Sequence, residues 1–441
     1  MFHYCFIYSP SGKGTNISPL KPPALILLIN SSLYVHANIQ ATSKFSKFTL
    51  SGFFIGIFVP GILDPCFSGV SSIAIALLSR LNSQIFAVTL VFGFVTNANA
   101  AKTLKCQTVI SAKADEVVML KDFTDTVTAL TGGSLKFEIM PAGTVVGVKE
   151  TLDAVDKGLI DCGFAWTHYW SGDHPAAMLF GSPVAGGGVG IDNIAFLSWF
   201  QYGGGKELYD RLWKEMGRDI KGFMLQPVGP EALGWFPKPI KNMADFRKYK
   251  FRTPPGIPGQ TYKDIGIASV AMGGGDILPA LQAGTIDAAE WCCPKPDLVF
   301  GFQKVLKHYY LQGLHQVVVN ADFYMTGKTY NSLSAHEKKS LEVAANASLA
   351  KSLSYRIYEN GKALAELTNK HGVILEDTPS DYFTEYMAAA KATLNKNAKD
   401  NAFFNEVYTS MKNFADIAVP FWSGAQMSNA KLGMAHAATL K

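Results

Sequence analysis

Three polar residues stand out by their surroundings. Glu231 lies in GPEALGWF, four residues before Trp235; Arg252 follows Lys250-Phe251 and precedes Thr253-Pro254-Pro255-Gly256; Glu290 is followed by Trp291-Cys292-Cys293-Pro294. An Arg at a strand end, stiffened by the Pro and Gly after it, suits a two-pronged grip on a carboxylate. Two glutamates beside a cleft favour a cation held by oxygen. The same three side chains would also serve as surface salt bridges, and the residues alone leave both readings open. An anionic ligand would set three negative charges against the single positive charge of Arg252. A divalent cation brings that sum near zero, and a protonated Glu231 would also relieve the repulsion.

Other chemistries find little footing. Gly12-Lys13-Gly14-Thr15, Gly186-Gly187-Gly188-Val189-Gly190 and Gly203-Gly204-Gly205-Lys206 each fail the phosphate-loop or dinucleotide pattern and read as turns. Neither a GxSxG elbow nor an HExxH helix occurs. His168, His174 and His315 fall in the interesting stretch but lack metal-ligand spacing. A net charge of +5 with no basic block interleaved with aromatics argues against nucleic acid. Hydrophobic residues at 48% and charged residues at 17% fit an ordinary folded chain, and 441 residues suggest two or three domains.

The elements that must position these residues alternate in type. Apolar residues from Asp115 to Leu130 recur at helical spacing; Leu135, Phe137 and Ile139 then alternate as a strand. A helix through Thr151–Lys157 and a short strand over Leu159–Phe164 continue a βαβ rhythm, which predicts largely parallel sheets. LDAVDKGLID at 152–161 is echoed by LPALQAGTID at 278–287, with Ala, Gly, Ile and Asp matching at one constant offset. The unit is a helix, a Gly that stops it in left-handed geometry, and a strand that starts at once. Two such units predict two similar α/β lobes, each strand ending at a shared cleft, near Phe164–Trp170 in one and Glu290–Trp291 in the other. A capping box at Ser334–Glu337 opens a helix of about 335–370, roughly 50 Å long at 1.5 Å per residue and able to span both lobes. A further helix carries Tyr382, Tyr386 and Ala389 at helical spacing.

The N-terminal hundred residues differ in texture. Arg80, an apolar run from Ile85 to Val95 and the triplet Ala98-Asn99-Ala100 make a secretory signal over 79–100, with the mature chain starting at Ala101. Residues 1–78 then precede a complete signal. They are open to three readings: an over-extended start, a true extension, or an anchor over Phe48–Ile62. The lack of amphipathic period favours the first. The mature part keeps Cys106, Cys162, Cys292 and Cys293, whose spacing fits neither a zinc knuckle nor a redox pair. Export permits a disulfide, and buried thiols are the other reading.

With these motifs in hand, the chain resembles the extracytoplasmic solute receptors of tripartite ATP-independent periplasmic (TRAP) transporters. It is closest to the branch that binds 2-oxo acids or lactate-like monocarboxylates. The resemblance rests on GPEALGWF (229–236), KFRTPPGIPGQ (250–260), GTIDAAEWCCPKPDLVFGFQKVLKHYY (284–310) and AVDKGLIDCGFAWTHYW (154–170), and it covers 103–441. It implies a two-lobed α/β fold with a hinge and a long inter-lobe helix, no catalysis, and delivery of a small organic carboxylate to TRAP membrane subunits in the periplasm. A second copy of the chain is allowed for as a partner. The resemblance maps the carboxylate grip onto Arg252, and a bridging metal, Ca²⁺ or Na⁺, onto Glu290, the Trp291 carbonyl and Glu231. The last position is usually Gln, so Glu231 is a departure that adds a carboxylate and favours Ca²⁺ over Na⁺. Tyr169 and Trp170 match the first-lobe wall of the pocket, and His168 stands where an aromatic is often found. The rival reading is an exported isomerase or lyase with Glu231 and Glu290 as acid and base.

Overall fold

The computed structural model describes residues 101–439 and, upstream, two short antiparallel strands, β1 (Ile26–Ile29) and β2 (Leu33–His36). The expected signal at 79–100, the stretch Phe48–Ile62 and the turn at Gly12–Thr15 lie outside the described residues.

The body from residue 101 onward is built on two sheets. In the first, β3 (Lys102–Thr108) lies between β4 (Leu135–Met140) and β5 (Cys162–Trp166), all parallel. β12 (Asn320–Thr326) and β6 (Ile220–Pro227) complete it, β12 running antiparallel to both of its neighbours. The second sheet has the order β13 (Ile374–Glu376), β11 (His308–Tyr310), β7 (Gly234–Phe236), β10 (Ala288–Ala289), β8 (Lys250–Thr253), β9 (Ala268–Ala271). Here β10, β8 and β9 are parallel, and β7 opposes both β10 and β11. Both sheets are therefore mixed rather than largely parallel. The reason is topological: the chain leaves the first lobe along β6 and returns along β12, and an outward and a returning strand side by side must run antiparallel. Their pairing continues into the crossing, where the Val228 N–H donates to the Val319 carbonyl at 2.7 Å.

The sequence echo is a structural repeat. Helices Thr151–Asp156 and Gly274–Gln282 are followed by Gly158 (φ +70°) and Gly284 (φ +67°), a left-handed conformation that costs glycine nothing. Ile160 and Ile286 then plug the two cores. Each Asp that follows hooks the neighbouring strand: Asp161 accepts from the Lys105 N–H in the middle of β3 at 2.9 Å, and Asp287 from the Lys250 N–H at the start of β8 at 2.8 Å. Their own N–H groups return the bond to the Lys105 and Lys250 carbonyls. The strand after the first copy is Cys162–Trp166, later than Leu159–Phe164, because Leu159 sits on the exposed turn.

Leu104, Leu120, Phe123 and Phe323 pack the first-lobe core with Leu341 and Ala344 of the long helix; Trp235, Ile277 and Tyr309 pack the second with Leu367 of the same helix. Each fully buried Leu or Phe contributes about 1.5–3 kcal/mol. That helix, Ala335–His371, starts in the full Ser334–Glu337 capping box and stops at left-handed Gly372. At 37 residues it is about 55 Å long and belongs to both lobes. The helix Ser380–Asp400 buries Tyr382, Tyr386 and Ala390, one position beyond Ala389. Cys106 and Cys162 lie opposite each other on β3 and β5 and form a disulfide, while Cys292 and Cys293 are free and buried.

Candidate functional site

Strand register assembles the site. Arg252 on β8 pairs with Ala289 on β10, and Glu290 is the next residue, so the hook made by Asp287 delivers Glu290 beside the guanidinium. β7 lies on the other side of β10, with Trp235 opposite Ala289, which brings the preceding Glu231 alongside. The Glu231 N–H donates to the Gln316 carbonyl at 3.0 Å, and the Ala232 N–H to the Cys292 carbonyl at 2.7 Å. A third segment, Gly313 to Gln316, thus closes over the first two. Glycine is needed there: a Cβ on Gly313 would stand 2.9 Å from the Leu233 nitrogen and 3.0 Å from the Glu231 carbonyl oxygen.

Within this frame the polar groups are buried and close. Arg252 donates from Nη1 to both the backbone carbonyl (2.9 Å) and the carboxylate of Glu290, and from Nε and Nη2 to the Met272 carbonyl at 3.2 and 2.9 Å. The Trp291 ring lies over the guanidinium, 5.3 Å from centroid to Cζ. Arg252 is therefore not the free fork that its sequence context suggests, since four of its five N–H groups are already engaged inside the protein. Glu290 spends Oε1 on Arg252 and leaves Oε2 without a partner. Glu231 Oε2 and His315 Nε2 are also buried and unpartnered. Nε2 stands 3.5 Å from Glu290 Oε2 and 4.0 Å from Glu231 Oε2, and the three residues can offer ligand atoms within 4.8 Å of one another. Burial, then the Glu290 charge, pushes the Glu231 carboxyl well above its ordinary range. Three orphaned polar atoms converging in a buried space are costly on their own, and a cation relieves the cost. The donor set fits a divalent ion.

The first lobe contributes the turn Thr167–Trp170 after β5. Tyr169 is 40% exposed, and its hydroxyl is pushed up to about 12 by desolvation, with Arg252 opposing and Glu231 and Glu116 adding to the shift. Tyr169 is thus within electrostatic reach of the second-lobe cluster. Trp170 turns instead into the large hydrophobic core. His168 packs against Gly181, and burial drops it to about 4, so it is a neutral imidazole. Of the three first-lobe residues expected at the pocket, only Tyr169 feels the charges of Arg252 and Glu231, and its ring packs against Trp166, His168 and Trp170.

Several residues at the site were set aside or passed over by sequence. His315 lacks ligand spacing because its partners lie 25 and 84 positions away, and only the fold brings them together. Asp297, fully buried, accepts from Trp235 Nε1 (2.8 Å), the Tyr309 hydroxyl (3.0 Å) and the Cys292 N–H (3.2 Å), and so fixes the segment that carries Glu290 and Trp291. Arg356 of the long helix pairs with Glu116 of the first lobe at 3.0 Å, a buried link whose charge is felt at Cys292. No local pattern marked either.

Two lobes joined by crossing strands and a shared helix, with convergent buried charges at their junction, define a ligand-enclosing receptor. The model of the family described as bacterial extracellular solute-binding protein, family 7 (DctP), matches residues 107–401, and the chain belongs to that family. It is a solute-binding receptor and not an enzyme. The chain is 28% identical over 292 residues to the monocarboxylate 2-oxoacid-binding periplasmic protein of a Nostoc species, covering 65% of this chain and 77% of that one. Among solved structures, a TRAP transporter solute binding protein from Bordetella bronchiseptica with copurified calcium and picolinate is 24% identical. Its TM-score is 0.71 over 78% of this chain and 100% of that one. A second, from Pseudoalteromonas atlantica with bound sodium and pyruvate, is 24% identical with a TM-score of 0.68, over 75% of this chain and 99% of that one. A third, from Colwellia psychrerythraea with bound calcium and pyruvate, is 24% identical with a TM-score of 0.68, over 76% of this chain and 99% of that one. At this identity they speak for the fold.

Proposed function

We propose that this chain is a periplasmic receptor, exported by a signal over 79–100 that is cleaved before Ala101, which closes on a 2-oxo acid or lactate-like monocarboxylate. It then hands the solute to TRAP membrane subunits. A homodimer is compatible with this role, since one structural neighbour is a dimer. The observation that carries the reading is the convergence of buried, unpartnered Glu231 Oε2, Glu290 Oε2 and His315 Nε2 beside Arg252.

In this reading Arg252 grips the solute carboxylate. Its fifth N–H is free, and a second becomes so when Glu290 releases Nη1. A cation, Ca²⁺ in preference to Na⁺ because two carboxylates face it, supplies the positive charge that lets an anion sit beside Glu231 and Glu290. Glu290, the Trp291 carbonyl and Glu231 are its oxygen ligands. Glu290 thereby exchanges an Arg partner for a cation, and the freed guanidinium takes the solute. Tyr169 covers the solute from the first lobe, with His168 and Trp170 supporting that wall. The related proteins bind pyruvate or picolinate with calcium or sodium, and a monocarboxylate 2-oxoacid is named for the Nostoc relative, which supports the ligand class.

Calorimetry with pyruvate tests this. Protein stripped by chelator should show no binding, and added Ca²⁺ should restore it. Full-strength binding by metal-free protein at pH 8 would end the cation reading; a protonated Glu231 in its place would leave binding unchanged by chelator and make affinity fall as pH rises.

A further inference from the structure

The oxygen ligands named above do not account for His315, a fully buried imidazole on the opposite side of Glu290 from Arg252. We propose that His315 Nε2 is itself a ligand of the bound cation, so that this site prefers a first-row transition metal ion such as Zn²⁺ or Co²⁺ over Ca²⁺. The inference rests on the reading that a cation occupies the cluster at all.

Four observations carry it. Nε2 has no hydrogen-bond partner, although the residue is 0% exposed. Its separations from Glu290 Oε2 and Glu231 Oε2, 3.5 and 4.0 Å, are too long for good hydrogen bonds. They suit atoms that share a common ion, since two ligands about 2.1 Å from one metal stand roughly 3–4 Å apart. The other ring nitrogen, Nδ1, lies 3.2 Å from the Tyr262 hydroxyl, which in turn lies 3.2 Å from the Tyr382 hydroxyl. Metal-bound imidazoles are commonly oriented by such an outer partner on the second nitrogen. Finally, the backbone on both sides of His315 is pinned. The Leu314 N–H donates to Tyr382 at 3.0 Å, its carbonyl accepts from Ala185 at 2.9 Å, and the Gln316 carbonyl holds Glu231. The ring is thus pre-positioned in the same frame as the carboxylate it would share a metal with.

The consequence follows from ligand chemistry. Calcium and sodium are hard ions served by oxygen, whereas imidazole nitrogen suits zinc, cobalt and their neighbours. With His315 added to Glu290, the Trp291 carbonyl and Glu231 the protein set has four ligands, and a six-coordinate ion then keeps two positions open for an incoming solute. A 2-oxo acid offers two adjacent oxygens to those positions.

The test is a metal-selectivity measurement on chelator-stripped, full-length mature protein. Zn²⁺, Co²⁺ and Ca²⁺ are each titrated by calorimetry, and the visible absorption of the Co²⁺ complex is recorded. Wild type should bind Zn²⁺ and Co²⁺ at least about 100-fold more tightly than Ca²⁺. In His315→Gln that ratio should fall by roughly tenfold or more, with a changed Co²⁺ spectrum. Tyr262→Phe, which keeps the imidazole and removes its outer partner, should give a smaller fall of the same sign and serves if the first variant folds poorly. A selectivity ratio and Co²⁺ spectrum unchanged in His315→Gln, with Ca²⁺ binding intact, would overturn the ligand assignment alone. Failure of wild type to bind any of these ions would instead overturn the cation reading beneath it.

Discussion

Replacing Arg252 with Ala should destabilise the metal-free receptor as well as weaken solute binding. Arg252 and Glu290 are 4% and 0% exposed and share a buried ion pair. Removing one partner of such a pair costs about 3–5 kcal/mol, because the remaining charge stays buried without compensation. The Glu290 and Met272 carbonyls also lose their donors, at about 1–3 kcal/mol for each group left unsatisfied, which places Arg252→Ala at or above the middle of that range. The double variant Arg252→Ala, Glu290→Ala removes the stranded charge and should cost less than the sum of the single changes. Urea unfolding followed by tryptophan fluorescence, in chelator, measures all three. An Arg252→Ala penalty below about 1 kcal/mol, with an additive double variant, would show that the pair is not the buried anchor described here. Arg252→Lys keeps the charge but loses the planar fork, and should weaken pyruvate binding by about 1.5–3 kcal/mol in the metal-loaded protein.

Asp322, buried with its carboxyl pushed up to about 8 by desolvation, holds a proton in the folded chain that it loses on unfolding above its ordinary 3.8. Stability should therefore fall as pH rises between these values, and Asp322→Asn should flatten the slope in urea titrations at pH 5 and pH 8. Reducing the Cys106–Cys162 disulfide, which closes a separation of 56 residues, should lower stability by about 2–4 kcal/mol, read as a shift of the urea midpoint with reductant. Asp287→Ala cuts the exposed hook on β8 and should cost about 0.5–1.5 kcal/mol. It should also loosen Glu290, seen as weaker pyruvate binding than in Asp161→Ala, whose hook serves the other lobe. Equal binding in these two variants would refute that role.

Much of this protein is local and therefore readable in its sequence. The helix Asp115–Leu130 shows its apolar period, the 37-residue helix shows its capping box and its stopping glycine, and both repeats show the Gly-x-Ile-Asp junction whose Asp holds the neighbouring strand. These features depend on neighbours a few residues apart, where backbone geometry and side-chain type suffice. Arg252, Glu231 and Glu290 were conspicuous because Pro, Gly and Trp surround them. What only the tertiary structure decided is how far-separated groups meet. The antiparallel course of β12 follows from the chain's return across the lobes, which no window of sequence contains. The pairing of Cys106 with Cys162 follows from the register of two strands 56 residues apart. Trp170 turns into the core while Tyr169 stays partly exposed, because successive residues of a tight turn diverge in direction. His315 reaches Glu290 only because Gly313 lets a third segment close over β7 and β10. The types of group at the site are thus written in the sequence, while their distances, partners and residual bonding capacity belong to the packed structure. Burial is what makes an unpartnered atom costly, and burial is a property of the whole fold.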